Sequence, residues 1–239
     1  MQDPATAPAT TPGTALSAHH IVTTALDLAE REGPAALTMR RLGREMGVDA
    51  TAFYRHFRDK DELVLAIGDR MIGQVLADLR ADSPANADPA ASEDWRDVLR
   101  RIAAALLGQV HVRPAVFSMV FARTTGGPSE RQVVEMILAA LAPLGLPPER
   151  VVLLYRLFID TLLSLGGMSA TVRTLPPEII EKDASAWSRV YAGMPHADFP
   201  ATREHATALV AVTDDSIYDA AVDSLIFFIE SQVPTDRRS

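Results

Sequence analysis

Apolar residues recur three and four positions apart from residue 17 onward, which is the spacing of one face of an α-helix. The first such stretch predicts a helix over residues 17–32, which Gly33 and Pro34 end. A later stretch predicts a long helix from residue 60 to about residue 79. The expected inward residues of these two helices are Ile21, Val22, Ala25, Leu28, Ala29, Leu63, Ile67, Met71, Val75 and Leu79.

Two short helices joined by a tight turn are predicted between Leu37 and Phe57. Thr38 is suited to cap the first helix, and Gly47 stands where a helix ends in a left-handed residue. Asp49 offers its carboxylate to the free backbone N–H groups of a second helix that starts near Ala50. A break of about three residues is the turn length of a helix-turn-helix.

The second of these helices has one apolar and one polar face. Phe53 and Phe57 lie one turn apart and are expected to face inward, which at roughly 100° per residue leaves the opposite face to solvent. Gly43, inside the first helix, costs about 1 kcal/mol against alanine, so we expect it to allow the second helix to pack closely. The outward residues are Thr51, Tyr54, Arg55 and Arg58.

Positive charge is concentrated in the same region. Residues 38–60 hold six Lys or Arg and three Asp or Glu, whereas the whole chain carries a formal net charge of −8. A local positive surplus on an acidic protein favours a small patch that contacts phosphates. Helical hairpins also pack in this way without touching nucleic acid, so the spacing leaves a purely structural role open.

From Ile21 to about Ile67 the chain resembles the TetR family of transcriptional regulators. The resemblance implies an N-terminal three-helix bundle with a helix-turn-helix, over residues 17–66, and a larger helical domain that binds a ligand and dimerises, over residues 67–239. Residues 1–16 are expected to be a disordered tail. The matching residues are Ala25, Leu28, Glu32, Gly33, Leu37, Thr38, Leu42, Gly43, Met46, Gly47, Val48, Phe53, Tyr54, Arg55, His56, Phe57, Lys60 and Leu63.

The resemblance also implies which residues contact DNA. Hydroxyl and ammonium groups suit phosphate oxygens, whereas short side chains let a helix enter the major groove. The residues matching the family's phosphate contacts are Thr38, Tyr54 and Lys60, and those matching its base-reading positions are Ala50, Thr51 and Ala52.

Three further residues are candidates for the same surface. The guanidinium groups of Arg40 and Arg55 suit phosphate or guanine O6 and N7, although both residues are equally interpretable as solvated surface arginines. The family pattern has a histidine at His56, which a helical wheel turns partly toward the core, so we interpret it as a packing residue with a phosphate contact. Because the neighbouring alanines are too small to hydrogen-bond base edges, direct readout is expected to rest on Thr51 and the two arginines.

The remainder of the chain also predicts helices, without the alternation typical of strands, so the expected fold class is all-α. Hydrophobic residues make up 48% of the sequence, which is enough for sizeable cores. A Pro-, Asn- and Asp-rich stretch at residues 81–91 marks the region of the domain boundary. The helices are expected at residues 92–112, 114–123, 129–144, 148–165, 177–191 and 214–233, with breaks at 123–128, 142–148, 166–177 and 192–205.

Two of the later helices carry more apolar surface than one core can use. Residues 151–165 are apolar on nearly every side, and residues 216–229 have two adjacent apolar faces. A helix that is apolar all round is buried all round, and a second copy of the same surface would bury it in a two-fold four-helix contact. The alternative is that both helices are central in the monomer. The resemblance favours a homodimer, which would read a palindromic operator.

A small-molecule pocket is the other expectation for the larger domain. A mixture of apolar walls and a few polar groups is typical of a ligand site, and equally of an ordinary core. The C-terminal part has a weaker similarity to the tetracycline-repressor type, which we do not extend to magnesium or tetracycline binding. No metal or cofactor is expected, and the effector is not identified. The candidate ligand-binding residues are His111, Arg113, Phe117, Phe121, Tyr155 and Phe158.

Several classes of protein are disfavoured. The chain has no cysteine, which excludes disulfides, thiolate metal sites and a cysteine nucleophile. It shows no metal-binding histidine pair, nucleophile elbow or phosphate-binding glycine loop, so we expect no enzyme. Residues 1–16 lack a basic start and an apolar run, and no uncharged apolar stretch of 18 residues occurs, so we expect a cytoplasmic protein without a membrane span.

The combined prediction is a homodimeric repressor that a small molecule releases from a palindromic operator. A DNA-binding regulator that responds to no ligand, and whose large domain only dimerises, is the alternative.

Overall fold

The computed structural model describes residues 16–81 and 94–234, and every regular element within them is helical. The all-α fold is therefore confirmed. The predicted tail, except for its last residue, and residues 82–91 of the predicted break lie outside the described residues. The α-helices are α1 (Ala18–Glu32), α2 (Met39–Met46), α3 (Lys60–Ala81), α4 (Trp95–Val112), α5 (Pro114–Val120), α6 (Pro128–Leu141), α7 (Pro148–Arg173), α8 (Pro177–Ala186), α9 (Pro200–Ala211) and α10 (Asp214–Gln232); short 3₁₀ helices span Pro34–Ala36, Ala50–Arg55 and Ala142–Leu144.

The N-terminal part, residues 18–55, contributes its buried side chains to an apolar core that continues through α3 into the later helices. Ser17 caps α1 by accepting a hydrogen bond from the backbone N–H of His20. The inward stripe of α1 predicted from the sequence is buried, and it meets fully buried Leu42 of α2 and Phe53 of the 3₁₀ helix Ala50–Arg55. These contacts stabilise α1, α2 and the 3₁₀ helix, which are too short to be stable alone.

Helix α3 joins the N-terminal part to the rest of the molecule. It contacts α1 near its start and α4, α5 and α6 further along. The five residues predicted for its inner face, Leu63, Ile67, Met71, Val75 and Leu79, are all at least 96% buried. The expected domain boundary after residue 66 lies inside this one continuous helix, so the two parts of the molecule share a rigid element.

Helix α7 is longer than the sequence predicted. The expected break at residues 166–177 is wrong over most of its length, because the helix continues to Arg173. Gly166 and Gly167 are buried contact points instead of helix breakers. A Cβ on Gly166 would lie 3.1 Å from the ring of Phe117, and one on Gly167 would lie 2.4 Å from the ring of Phe121. The glycines therefore let α5 pack directly against the backbone of α7.

A second correction concerns the polar stretch 192–205. It was expected to be a loop, but its end forms the start of α9, with Pro200 at the first helical turn where its missing N–H costs nothing. No residue of α8 is buried, and only Ala206 is buried in α9. The helix predicted over 177–191 is α8 followed by a π-helical turn, in which Trp187 stacks on Tyr191 at 4.7 Å.

One described helix, α7, is long and apolar enough to cross a membrane by length and composition, although it is not uncharged, because it contains Arg156 and Asp160. The bent pair α4–α5 passes the same criterion if it is counted as one span. Central helices of soluble proteins meet this criterion as well. In this structure α7 packs against α4, α5, α6 and α10 and carries an ion pair between Arg156 and Asp160.

Candidate DNA-contacting surface and ligand cavity

The turn between the two helices of the helix-turn-helix is fixed by three local features. The hydroxyl of Thr38 accepts a hydrogen bond from the N–H of Arg41 at 3.0 Å and caps α2. Gly47 ends α2 in the left-handed conformation with φ 66°, which favours glycine. A Cβ on Gly43 would lie 2.8 Å from the carbonyl oxygen of Val48, so only glycine allows this close approach.

The helix that follows is a single 3₁₀ helix, Ala50–Arg55. The carboxylate of Asp49 caps it by accepting hydrogen bonds from the N–H of Thr51 at 2.8 Å and from the Thr51 hydroxyl at 2.6 Å. These two bonds lower the pKa of Asp49, the one from the hydroxyl having the larger effect. Phe53 is fully buried, whereas Tyr54 is 56% exposed. The start of this helix is therefore rigid, with its hydroxyl-bearing side facing solvent.

His56 does not pack toward the core as the helical wheel suggested. Its side chain is exposed, because the 3₁₀ helix ends at Arg55 and the wheel of an α-helix no longer applies beyond it. The exposed candidates for DNA contact on and around this helix now include Thr51, Tyr54, Arg55 and His56, while Ala50 and Ala52 are half-buried.

Part of the positive charge counted in the sequence is engaged within the protein. Arg41 bridges Glu32 and Glu45, and Arg31 contacts the Glu45 carboxylate at 2.7 Å. The hydrogen bonds from Arg41 are the largest influence lowering the pKa values of both glutamates, and the bridge raises the pKa of Arg41. The guanidinium group of Arg58 lies 3.5 Å from the carboxylate of Asp59. The cations of residues 38–60 without a carboxylate partner among the described residues are Arg40, Arg44, Arg55 and Lys60.

The N-terminal part is tied to α5 by polar contacts from α1. The carboxylate of Glu30 accepts a hydrogen bond from the backbone N–H of Val116 at 3.1 Å and a longer one, at 3.5 Å, from that of Ala115. It therefore caps α5, whose own preceding residue gives no side-chain cap. Beside it, Arg113 donates to Asp27 at 3.1 Å.

Two aspartates of helix α3 contact the segment that follows α5, one through an ion pair and the other as a helix cap. Arg123 pairs with Asp61 in the first turn of α3 at 2.9 Å. Asp69, two turns further along, accepts hydrogen bonds from the N–H groups of Ser129 and Glu130 at 3.0 Å and thereby caps α6. A Cβ on Gly127 would lie 2.2 Å from the Asp69 carboxylate carbon, so a glycine is needed there.

A cavity of about 380 Å³ lies between α3, α4, α6 and α7, with the segment 120–125 along one side. This volume is within the range of about 300–1,000 Å³ that is typical of small-molecule sites. Its walls are mainly apolar, and its polar residues are Arg123, Thr124, Thr125, Glu130, Tyr155, Arg156, Asp160 and Ser164. The apolar lining residues contributed by α3 are Met71, Ile72 and Val75.

The six ligand-binding candidates fall into three groups. Phe121 and Tyr155 line the cavity. Phe117 and Phe158 are fully buried core residues outside its lining. The last two lie toward the surface, where His111 is hydrogen-bonded to Asp215 at 3.0 Å and Arg113 forms an ion pair with Asp27.

Sequence reasoning missed the polar side of the cavity. The stretch RTTGGP, residues 123–128, was interpreted only as a turn. In the structure the Thr125 hydroxyl donates to Glu130 Oε2 at 2.7 Å, and the N–H of Gly126 donates to the same oxygen at 2.5 Å. The sequence did contain a signal for a backbone folded tightly around a carboxylate. Gly126 and Gly127 directly precede the helix start at residues 128–130.

Burial of Tyr155 raises the pKa of its hydroxyl; nearby Arg156 lowers that pKa, and the negative charges of Glu130 and Asp160 raise it further. Glu130 and Tyr155 are thus electrostatic neighbours across the cavity. Within residues 16–81 and 94–234, no group of three or more His, Cys, Asp or Glu side chains is arranged to hold a metal ion.

Helices α7 and α10 leave apolar side chains uncovered in the single chain. Leu153, Leu157 and Met168 of α7 are 40–54% exposed, and Phe227 of α10 is 73% exposed with Phe228 beside it at 39%. The two helices also pack against each other through their buried faces. In the single chain the two packed helices therefore have exposed apolar side chains. The sequence had suggested that both helices are buried on all sides.

Comparisons with known proteins agree with this arrangement. Residues 21–67 match the family described as bacterial regulatory proteins, tetR family. The tetracycline repressor protein class A from transposon 1721 of Escherichia coli is 34% identical over 86 residues, 36% of each chain. The transcriptional repressor DrrR1 of Streptomyces coeruleorubidus is 28% identical over 139 residues, 58% of this chain and 48% of that one. The chain thus spans about half or less of the length of these curated relatives.

The solved structures extend the likeness to the whole fold. ActR of Streptomyces coelicolor in complex with actinorhodin superposes with a TM-score of 0.77 over 93% of this chain and 99% of that one, at 18% identity. Apo ActR gives a TM-score of 0.72 at 20% identity, covering 90% and 97% of the two chains. TetR family proteins are DNA-binding regulators rather than enzymes. Residues 21–67, which hold the helix-turn-helix, are thus similar to the tetR family of bacterial regulatory proteins, and the described residues share the all-α fold of the solved TetR structures.

Proposed function

We propose that this protein is a homodimeric transcriptional repressor that binds a palindromic operator and is released from it by a small molecule. The observation that carries the proposal is the solvent-facing side of the 3₁₀ helix Ala50–Arg55, which Asp49 caps and Phe53 anchors. A short helix that is fixed at its start and exposed on one side suits insertion into a major groove. A protein that binds the bacterial chromosome would act in the cytoplasm.

Within this proposal, the residues divide between positioning and reading. Thr38, Tyr54 and Lys60 contact phosphates and fix the register, with His56 contributing from its exposed place. Ala50, Thr51 and Ala52 approach the base edges, and Arg40 and Arg55 add guanidinium contacts to phosphate or guanine. The Thr51 hydroxyl donates its hydrogen bond to Asp49, so its oxygen is left as an acceptor for the bases.

Dimerisation through α7 and α10 supplies the second half of the DNA contact. Two copies of the exposed Leu153, Leu157, Phe227 and Phe228 surfaces would bury each other in a four-helix contact. One 3₁₀ helix contacts few bases, whereas two related by a two-fold axis read both halves of an inverted repeat.

The cavity is the proposed effector site. Met71 and Ile72 belong to its lining and also to α3, whose first residue is the phosphate-contacting Lys60. A ligand that displaces these side chains therefore moves the helix on which the DNA-contacting surface rests. ActR has been solved with actinorhodin and with (S)-DNPA, which supports a ligand-responsive domain in this fold. The cavity favours this proposal over a regulator whose large domain only dimerises.

The proposal is tested by incubating the purified protein with fragments of its source genome and sequencing those it retains. Enrichment of a few sites that share an inverted repeat is expected. The Tyr54→Phe, Lys60→Ala double variant is the matched control and is expected to retain few of them. A folded wild-type protein that enriches no site would contradict DNA-binding regulation.

A further inference from the structure

The cavity that we propose as the effector site, on which this inference rests, also indicates a chemical class of ligand. Its ionisable lining residues are Arg123, Glu130, Tyr155, Arg156 and Asp160. Their charges are not equally compensated, and this difference distinguishes one ligand class from the others.

Both arginines of the cavity already have carboxylate partners. Arg123 contacts Asp61 at 2.9 Å, and Arg156 contacts Asp160 at 2.6 Å along one face of α7. An anionic ligand would have to compete with these carboxylates for the guanidinium groups. The arginines therefore line the cavity without offering an uncompensated positive charge.

Glu130 differs from the arginines. Its Oε2 atom accepts hydrogen bonds from the Thr125 hydroxyl and the Gly126 N–H, both neutral donors. No Lys, Arg or His of the described residues pairs with this carboxylate, and no donor among them is bound to Oε1. An ionised carboxylate is only an acceptor, so Oε1 is available to a donor on a ligand.

Aromatic rings lie on the same cavity. Phe121 and Tyr155 both belong to its lining, and the hydroxyl of Tyr155 makes no hydrogen bond to another described residue. Aromatic faces attract cations as well as flat ring systems. The remaining walls, from Met71, Ile72 and Leu163 among others, are apolar.

We propose that the cavity takes a flat aromatic cation that carries N–H donors, with one N–H group of the cation on Glu130 Oε1 and the ring system against Phe121 and Tyr155. A cation gains a charge-assisted hydrogen bond there that a neutral analogue of the same shape lacks. A carboxylate-bearing analogue meets the negative charge of Glu130 and is the weakest ligand of the three.

Three tricyclic probes of similar shape test the proposal in fluorescence titrations at pH 7.5: cationic 9-aminoacridine, neutral acridine and anionic acridine-9-carboxylate. The wild-type protein is expected to bind 9-aminoacridine about tenfold more tightly than acridine, and the carboxylate least tightly. Equal affinity for the three probes, strongest binding of the anion, or no binding of 9-aminoacridine would overturn the ligand class.

Variants locate the effect. Glu130→Gln keeps an acceptor for Thr125 and Gly126 and is expected to abolish the preference for the cation. Glu135→Gln, an exposed glutamate of the same helix outside this cavity, makes the same change of charge and is expected to retain the preference. Val134→Trp, which fills the cavity, is expected to remove binding of 9-aminoacridine. A Glu130→Gln protein that retains the preference would contradict the proposal.

The result is separable from that of the proposed function. Retention of genomic sites without a preference among the probes would leave DNA binding intact and refute the cationic ligand. A cation preference that depends on Glu130, without retention of any genomic site, would support the ligand site and refute the regulator.

Discussion

The N-terminal part and the cavity-bearing C-terminal part are stabilised by contacts of different range. In the helix-turn-helix the decisive contacts join residues two to seven positions apart, such as Thr38 with Arg41, Asp49 with Thr51, and Gly43 with Val48. In the C-terminal part they join distant residues, such as Gly167 with Phe121. A local contact can be predicted from a short stretch of sequence, whereas a contact between distant residues cannot.

The connection between the two parts combines both kinds of contact. Helix α3 is continuous, and four carboxylates of the N-terminal part and α3 also reach across to the segment 113–130: Asp27, Glu30, Asp61 and Asp69. Two of them, Glu30 and Asp69, take the place of local helix caps. A helix capped from another element is expected to move with that element, so these caps would couple α5 and α6 to the proposed DNA-contacting surface.

The largest effect is expected from the core of the N-terminal part. Phe53→Ala should lower the free energy of unfolding by about 3–5 kcal/mol, because the ring is fully buried in the apolar core. Urea unfolding followed by circular dichroism measures the change. Tyr54→Phe, on the exposed side of the same helix, is the control and should change stability little. A loss below about 1 kcal/mol for Phe53→Ala would show that this core is not organised as described.

A pair of glycines tests the long-range contacts of the C-terminal part. Gly167→Ala should destabilise the protein by about 1–3 kcal/mol, since its Cβ would overlap the ring of Phe121. Gly108→Ala in α4 has open space around it and should stabilise by about 0.5–1 kcal/mol through helix propensity. Thermal unfolding of both variants gives the comparison. Equal effects would mean that the α5–α7 contact is not tight.

A smaller effect is expected at the DNA-contacting surface. Tyr54→Phe and Lys60→Ala should each weaken binding by about 1 kcal/mol, and equally for all DNA sequences, because phosphate contacts fix position and not identity. Thr51→Ala should instead change the preference among operator variants. Fluorescence anisotropy with operator and scrambled duplexes separates the two effects. Unchanged affinity in the first two variants would place the docking face elsewhere.

The smallest effect is a dependence of stability on acid pH. The folded-state pKa values of Glu32 and Glu45 are lowered, chiefly by Arg41, so their contribution is present above their unfolded-state pKa of 4.5 and is lost as the pH falls below it. Between pH 5 and pH 3 the wild type should therefore lose stability more steeply than Glu45→Gln. Urea midpoints across this range measure the slopes. Parallel slopes would show that the bridge adds nothing in solution.

The sequence predicted the caps and turns of the N-terminal part because these residues act on their neighbours. Thr38, Gly47, Asp49 and the two faces of the next helix are as expected. His56 was misjudged because an α-helical wheel was applied beyond the end of a 3₁₀ helix. The resemblance to the TetR family came from the same stretch, whereas the all-α fold class came from the helical spacing along the whole chain.

The C-terminal part was predicted only in outline. Gly166 and Gly167 were interpreted as a helix break. The rings of Phe117 and Phe121, which pack against them, are about 45–50 residues away in the sequence and could not be paired with them from it. Similarly, Glu130 became a cavity residue only once α3 and α7 were placed around it. Phe121 and Tyr155 were named from their chemistry, and both do line the cavity.

The central claim is that two copies of the helix-turn-helix are held in a dimer at a spacing set by the C-terminal part. Because the chain has no cysteine, His19→Cys, on the exposed start of α1, introduces a single labelling site per subunit. Spin labels at this position, measured by pulsed electron paramagnetic resonance, report the distance between the two copies.

With a genomic operator bound, the account predicts one narrow distance, since the two helices occupy successive major grooves about 34–36 Å apart. Addition of the ligand should shift or broaden that distance. A protein that binds operator but gives no dipolar coupling between labels would be a monomer on DNA, and would contradict the account.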